Sequence, residues 1–277
     1  MPFPISRWSR LEFENTPIYV RPDGPDWFVP NAEGDRILTT LARGEALDAG
    51  PTARAFLERL PDQEPQPFGG RAEVLRTDHL RELWLHVTNR CNLACNHCLF
   101  SSGPDQAKEM PLESVLALAD QAAALGCRVF ALTGGEPFIH RDFPGILDGL
   151  LAHEGANVVV LTNGTLLRRF GDRLVQWVSR GLHLQISVDG LEAQHDRIRG
   201  PGARAALGEQ LRWLRDQGVA FTVSTCVTKA NAPDIPDLVD WAARAGAGNL
   251  HLMWYFIRGR GGADQWTQPV ALFPYLR

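Results

Sequence analysis

The sequence predicts an α/β protein: a partial, TIM-like (β/α)6 barrel preceded by a small α+β domain with a winged-helix-like layout. From Leu83 onward, short apolar runs alternate with longer segments of helical periodicity, a pattern typical of a parallel sheet buried on both faces. Before residue 67 the order differs, because two β-type runs come first and two helical segments follow. We therefore expect domains at 1–66 and 83–277, joined by a linker at 67–82 in a stretch that begins rich in Pro, Gln and Gly.

The N-terminal domain begins with a predicted hairpin. Its strands, at 18–20 and 27–29, flank the sequence Arg-Pro-Asp-Gly-Pro, which is a strong turn signal. Asn31 suits the N-cap of a helix over 32–42, and a second helical segment covers 52–60.

Six strand-and-helix units make up the barrel domain. The predicted strands are 83–87, 129–133, 158–162, 182–188, 221–227 and 250–256. The predicted helices between them are 112–125, 143–153, 166–178, 203–216 and 235–245. Six units without a closing pair favour a partial barrel, and binding sites in such barrels gather at the carboxyl ends of the strands.

Composition excludes several classes of protein. The chain has 277 residues, of which 44% are apolar and 22% charged, as in an ordinary soluble globular protein. A net charge of −4 argues against non-specific nucleic-acid binding. No apolar run reaches the ~18 residues that span a bilayer, and the N-terminus lacks a signal-peptide pattern. Five cysteines, three of them clustered, favour a reducing compartment, so we expect a cytoplasmic protein without nucleic-acid or membrane partners.

The strongest local signal is the cluster Cys91, Cys95 and Cys98, which directly follows the first barrel strand. Thiolates are soft ligands that suit zinc or an iron–sulfur cluster. A cubane usually takes four cysteines, so three would leave one iron open to a substrate or cofactor. Two alternatives remain: zinc with His97 or a remote fourth ligand, and buried thiols on a helix face. Zinc modules normally add a second Cys/His motif, and the asparagines interleaved with the cysteines are unfavourable inside a helix.

Polar or glycine-rich sequences end the next three strands. Gly134 and Gly135 allow close approach of the backbone to a ligand, although a plain strand-exit turn would look similar. Asn163 begins an Asn-Gly pair that predicts either a tight turn or a ligand contact. Ser187 and Asp189 project to the same side of an extended strand, where they could bond hydroxyl or carboxylate groups, while Asp189 could also serve only as a turn residue.

The C-x-x-x-C-x-x-C loop and the later Gly-Gly-Glu-Pro sequence together resemble the radical S-adenosylmethionine (SAM) superfamily over about 83–261. The resemblance implies a [4Fe-4S] cluster on the three cysteines and SAM on the open iron. It further implies reductive cleavage of SAM to a 5′-deoxyadenosyl radical that abstracts hydrogen, so no catalytic residue is expected beyond the cluster ligands. The SAM contacts that it implies are Gly134, Gly135, Glu136, Pro137, Asn163, Ser187, Asp189 and Arg199. Glu136 is expected at the SAM amino group and Arg199 at its carboxylate.

The N-terminal layout, with the sequences Tyr-Val-Arg-Pro at 19–22 and Trp-Phe-Val-Pro-Asn at 27–31, resembles a PqqD-like peptide-recognition element. Such elements occur in peptide-modifying maturases of the PqqE or SPASM type, where a leader peptide adds a strand to the sheet edge. The resemblance implies a maturase of a ribosomally made precursor peptide, supplied with electrons by a donor such as flavodoxin or ferredoxin. The alternatives are a radical enzyme for cofactor or tetrapyrrole biosynthesis and a non-catalytic peptide-binding partner.

One departure concerns the end of the chain. Peptide-modifying members usually continue into a cysteine-rich region that holds auxiliary clusters, whereas this chain has no cysteine after Cys226 and ends at Arg277. We expect a fragment truncated before such a region; alternatively a partner chain supplies it, or the enzyme works without it. The sequence does not predict the bond that is attacked.

Overall fold

The computed structural model describes residues 3–22, 26–47, 50–60 and 78–275. These residues form two compact units, one on each side of segment 61–77. Most of the predicted linker, 67–77, lies outside the described residues, and Glu82 already belongs to the first barrel strand.

The N-terminal unit contains a three-stranded antiparallel sheet in the order β1-β2-β3. Its strands are β1 (Ser9–Phe13), β2 (Thr16–Val20) and β3 (Trp27–Phe28). The helices α1 (Ala32–Ala42) and α2 (Pro51–Glu58) follow. The β2–β3 hairpin and both helices match the sequence prediction, whereas β1 is an additional strand. Glu14 and Asn15 join β1 to β2 with φ of 49° and 63°, the backbone of a two-residue turn whose twist suits a hairpin.

A small aromatic core holds this unit together. The ring of Phe28 stacks on that of buried Tyr19 at 5.3 Å. The Tyr19 hydroxyl donates to Asp35 Oδ1 at 2.9 Å, and Arg10 donates to both oxygens of the same carboxylate at 2.8 and 3.0 Å. Asn31 Oδ1 caps α1 by accepting the Gly34 N–H at 2.8 Å. The sheet and α1 are therefore joined through Asp35.

The second unit is built on a six-stranded parallel sheet in sequence order, β4-β5-β6-β7-β8-β9. The strands are β4 (Glu82–Thr88), β5 (Val129–Gly134), β6 (Asn157–Thr162), β7 (Leu182–Ser187), β8 (Phe221–Val227) and β9 (Asn249–Trp254). The helices are α3 (Leu112–Ala124), α4 (Phe143–Leu150), α5 (Asp172–Ser179), α6 (Glu192–Arg199), α7 (Ala203–Asp216) and α8 (Ile235–Ala245). The predicted partial barrel is confirmed. In the described part of the chain, no helix is long and apolar enough to cross a membrane.

Two elements differ from the prediction. The helix expected over 166–178 is interrupted at Gly171, whose φ of 49° separates a 3-10 turn at Leu167–Phe170 from α5. The short helix α6 was not predicted, and it follows β7 at the carboxyl edge of the sheet. One apolar core runs through the barrel from β4 to α8, with Val87, Leu132 and Ile186 fully buried. This core fixes the strand ends from which the site is built.

Candidate active site

A cavity of about 220 Å³ lies at the carboxyl ends of the barrel strands. All three clustered cysteines line it, and six of the predicted SAM contacts lie in the same wall. Those six are Gly134, Gly135, Asn163, Ser187, Asp189 and Arg199. Glu136 and Pro137 are buried outside the lining. Parallel strands bring their carboxyl ends to one edge, and for this reason residues more than 100 positions apart meet here.

The cysteine loop, residues 91–103, leaves β4 without forming a helix, so the helix-face alternative is wrong. Cys91 and Cys95 are buried, Cys98 is half-buried, and all three are free thiols. Burial is the main cause that raises the pKa of the Cys91 thiol to about 11, and the neighbouring Cys95 and Cys98 contribute in the same direction. The three sulfurs therefore lie within electrostatic reach of one another, and bound metal would favour their thiolate forms.

Two backbone amides point at the cysteine sulfurs. Leu93 N–H donates to Cys91 Sγ and Ser102 N–H to Cys98 Sγ, both at 3.4 Å. Amide donors of this kind tune iron–sulfur clusters, so the loop fits the expected group. Among the described residues, no group of three or more His, Cys, Asp or Glu side chains is placed so that it could hold a metal ion.

The glycines that end β5 bring that strand against the cysteine loop. Gly135 N–H donates to Thr88 O at 2.6 Å and Glu136 N–H to Arg90 O at 2.9 Å. Gly134 has a φ of +137°, and a Cβ on Gly135 would lie less than 3.0 Å from Arg90 O, nearer than side chains approach. Both glycines are thus required for packing against the loop, as well as for the cavity wall.

Glu136 is engaged inside the protein. Its Oε1 accepts from Thr162 Oγ1 at 2.8 Å and from Phe138 N at 3.1 Å, while Oε2 accepts from Asn163 N at 2.8 Å. Burial raises the pKa of this carboxyl to about 7, although the three hydrogen bonds favour its ionised form. The carboxylate therefore joins the ends of β5 and β6, where the sequence predicted a contact with the SAM amino group. Pro137 begins the adjoining 3-10 turn.

Asn163 connects β6 to the cysteine loop. Its Nδ2 donates to Asn92 Oδ1 at 2.9 Å and lies 3.9 Å from Cys91 Sγ, while Oδ1 accepts from Thr165 N at 3.0 Å. The side chain thus holds the turn after β6 and one cysteine at the same time. Asn163 therefore belongs to the turn after β6 and also lines the cavity, and its contact with a ligand stays a prediction.

A buried cluster of charged side chains forms the part of the cavity wall that follows β7. Asp189 is fully buried; Arg199 Nε donates to its Oδ2 at 2.7 Å, and His97 Nε2 lies 3.1 Å from the same oxygen. Cys226 N–H donates to Oδ1 at 2.9 Å. Burial alone would raise the pKa of Asp189, but Arg199 and His97 hold it well below its usual range. The carboxylate is therefore ionised and orients Arg199 at the end of α6.

Several lining residues were not predicted. Phe100, Met253 and Phe256 give the cavity an apolar side, and Arg260 lies near the cysteines. Near β9, Trp254 also lines the cavity, whereas the next residue, Tyr255, is buried and donates its hydroxyl to Gly262 O at 2.9 Å. The Gly-Arg-Gly sequence at 259–261 marks Arg260 as an arginine between two glycines, but it does not indicate that this segment contacts the cysteine loop.

Comparison with known families decides the assignment, because the model of the radical SAM superfamily matches residues 85–242. The chain belongs to the radical SAM superfamily. It is 32% identical over 177 residues to the antilisterial bacteriocin subtilosin biosynthesis protein AlbA of Bacillus subtilis (strain 168), covering 63% of this chain and 39% of AlbA. It is 33% identical over 200 residues to the mycofactocin maturase MftC of Mycobacterium ulcerans (strain Agy99), covering 69% and 53%.

A further relative is the AdoMet-dependent heme synthase of Oleidesulfovibrio alaskensis, 32% identical over 181 residues, covering 63% of this chain and 45% of the relative. The chain thus spans about half or less of the length of these curated relatives. Among solved structures, Streptococcus suis SuiB bound to S-adenosylmethionine superposes with a TM-score of 0.61 at 13% identity, covering 98% of this chain and 68% of SuiB. At that identity the likeness shows the fold.

Proposed function

We propose that this chain is the catalytic part of a radical SAM maturase that modifies a ribosomally synthesised precursor peptide. Cys91, Cys95 and Cys98 would hold a [4Fe-4S] cluster, and the adjoining cavity would hold SAM. The observation that carries the proposal is the convergence of the three thiols and six predicted SAM contacts on one cavity. When bound, the cluster would supply the electron that splits SAM into methionine and a 5′-deoxyadenosyl radical.

The chain's own residues position the reactants. Three thiolates leave one iron of a cubane without a protein ligand, which is the place for the amino and carboxylate groups of SAM. Arg199 would receive that carboxylate, since a guanidinium fork matches carboxylate geometry. Asp189 fixes the fork through Nε. Cys91 and Cys95 are buried, which would limit the access of water to the cluster that they hold.

Hydrogen abstraction by a carbon radical needs no general base, and the cavity has apolar side chains where substrate would enter. Phe100, Trp254 and Phe256 are each about half-exposed and line it. The electron would come from a reducing donor such as flavodoxin or ferredoxin, which is consistent with a cytoplasmic protein whose five cysteines are all free.

Two observations favour a peptide substrate. The relatives AlbA and MftC are named for bacteriocin biosynthesis and mycofactocin maturation, and SuiB has been solved with its precursor peptide SuiA, at a TM-score of 0.61. The N-terminal unit adds a sheet edge at β3, where Trp27 is 68% exposed. A leader peptide would add a strand to this edge, because main-chain hydrogen bonds supply affinity in that mode.

A second candidate is a radical enzyme of tetrapyrrole biosynthesis. The 32% identity to an AdoMet-dependent heme synthase favours it. Binding of a leader peptide discriminates between the two, because a tetrapyrrole enzyme has no use for one.

The chemistry is tested by anaerobic reconstitution of the chain with iron and sulfide, reduction with dithionite in the presence of SAM, and measurement of 5′-deoxyadenosine by mass spectrometry. We expect nucleoside release that Cys91→Ala abolishes. Release that is equal in the wild type and in Cys91→Ala, or absent from a chain that carries the cluster, would contradict the proposal.

The substrate is tested with a short candidate precursor peptide from a neighbouring reading frame, labelled on its leader. Fluorescence anisotropy should show binding that Trp27→Lys weakens at least about tenfold, because an exposed aromatic at the edge is a favourable anchor. Leu11→Lys is the matched control, since Leu11 is an exposed apolar residue of β1. No binding at all would favour the tetrapyrrole candidate, whereas equal loss in both variants would contradict docking of the leader at the β3 edge.

A further inference from the structure

The segment that follows β9 folds back onto the cysteine loop through one residue. Arg260 N–H donates to Cys98 O at 3.0 Å. Its side chain donates from Nε to Cys95 O and from Nη2 to Ser102 O, both at 2.7 Å. One arginine thus binds the carbonyls of two cluster ligands and of the residue whose amide points at Cys98 Sγ.

Gly259 permits this approach. Its φ is +65°, and a Cβ there would lie less than 3.0 Å from the carbonyl oxygens of Cys98 and Leu99. Glycine adopts a positive φ at no steric cost, and the missing side chain lets the two backbones touch. The position of Arg260 is therefore set by the glycine before it.

The part of the loop between Cys95 and Ser102 has other contacts as well, since His97 Nε2 lies 3.1 Å from Asp189 Oδ2. Residues 91–103 contain no helix or strand, and the neighbouring anchor is Asn96, which donates from N to Ile198 O at 3.0 Å and from Nδ2 to Arg197 O at 3.2 Å. The loop is held from one side by α6, which carries Arg199, and from the other by Arg260. The fork of Arg260 spans Cys95 to Ser102, with Cys98 between them.

The charge of Arg260 also reaches the ligands. Arg260 Nε lies 2.7 Å from Cys95 O, which places the guanidinium cation beside two of the residues that would hold the cluster. Reduction adds negative charge to a cluster, and a nearby cation stabilises that charge. The same side chain therefore has a geometric and an electrostatic effect.

We propose that Arg260 is a positioning residue that clamps the segment from Cys95 to Ser102 in the geometry for cluster ligation and raises the reduction potential of the cluster through its charge. The electrostatic part rests on the proposed function, whereas the clamp is a property of the chain itself. Arg260 acts by holding the cysteine loop and by the electrostatic effect of its charge on the cluster, and it does not contact the reacting atoms.

The clamp is tested on the full chain before reconstitution, by the rate at which an alkylating reagent labels Cys98, read by mass spectrometry. Arg260→Gln should raise that rate about tenfold or more, because two charge-assisted hydrogen bonds are lost. Gly259→Ala should raise it as well, since the added Cβ pushes the segment off the loop. Arg258→Gln, an exposed arginine two residues away, is the matched control and should label like the wild type.

The electrostatic effect is tested on the reconstituted chain by a redox titration followed by electron paramagnetic resonance. Arg260→Gln should shift the midpoint potential to more negative values, whereas Arg260→Lys keeps the charge and should stay near the wild type while labelling faster. Circular dichroism identifies any variant that fails to fold. If Arg260→Gln does not fold, the labelling rates of Arg260→Lys and Gly259→Ala test the clamp in its place.

Unchanged labelling in both Arg260→Gln and Gly259→Ala would overturn the clamp. An unchanged potential in Arg260→Gln, or a shift of equal size in Arg260→Lys, would overturn the electrostatic effect. Should the wild type take up no cluster, the proposed function fails by itself, and the labelling rates still decide whether Arg260 clamps the loop.

Discussion

The pair of Asp189 and Arg199 gives a prediction that can be worked from the structure. Asp189 is fully buried and lies 2.7 Å from Arg199 Nε. At an effective dielectric constant of 20, two unit charges at that distance attract by roughly 6 kcal/mol, part of which offsets the cost of removing both from water. Breaking such a pair leaves one buried charge uncompensated, which costs about 3–5 kcal/mol of stability.

The two single variants should differ. Asp189→Asn leaves Arg199 charged, because arginine does not deprotonate in proteins. In Arg199→Gln, His97 still lies 3.1 Å from the carboxylate, which can also take up a proton. We therefore expect Asp189→Asn to destabilise the barrel more than Arg199→Gln. The double variant should be more stable than the sum of the two losses predicts, by about 2 kcal/mol.

Hydrogen exchange in increasing urea, read by mass spectrometry, measures these losses in the barrel peptides around β7 and α6. Peptides from the N-terminal unit serve as the internal control, since they form a separate compact unit. A loss below about 1 kcal/mol in both single variants, or strict additivity in the double variant, would refute the account of a buried, coupled pair.

Gly135→Ala should lower the amount of iron bound after reconstitution, because the added Cβ would clash with Arg90 O. Gly103→Ala is the control and should bind iron normally, since there is open space at its Cβ. Equal iron in both variants would count against the close packing of Gly135 on the cysteine loop. Burial lowers the pKa of His195 to about 4. Below pH ~6.5 the unfolded chain therefore binds a proton at this histidine that the folded chain does not bind. The free energy of unfolding should consequently fall by about 2 kcal/mol between pH 7 and pH 5. His195→Asn should remove that share of the pH dependence in urea unfolding, and an unchanged slope would contradict the assignment. Asn31→Ala should cost the N-terminal unit about 1 kcal/mol through its lost N-cap, measured by its thermal midpoint; no change would mean that the cap is not formed in solution.

The barrel could be predicted because its strands are continuous apolar runs and its topology follows sequence order. β1 could not, since four of its five residues are exposed and it shows no buried alternation. α6 was missed for a related reason: its sequence is almost entirely polar, and Ile198 is its one large buried apolar side chain. Elements held mainly by hydrogen bonds and charge leave little hydrophobic pattern.

The residues at the strand ends could be predicted as a group, because parallel strands place their carboxyl ends together. Their individual orientations could not. Glu136 points into the protein because Thr162 and Asn163 offer it three donors together with Phe138, which depends on how β5 and β6 pair. Arg260 acts on Cys95, which is 165 positions away, and no local pattern carries a contact over that distance.

The central claim is that Cys91, Cys95 and Cys98 hold the cluster, and the iron and sulfide content of the anaerobically reconstituted chain tests it most directly. We predict about four irons and four sulfides per chain in the wild type, with an electron paramagnetic resonance signal that changes when SAM is added. Alanine at any of the three positions should abolish this content, whereas Cys127→Ala and Cys226→Ala should retain it. One zinc per chain in place of iron, or full iron in the variant that lacks all three thiols, would contradict the claim.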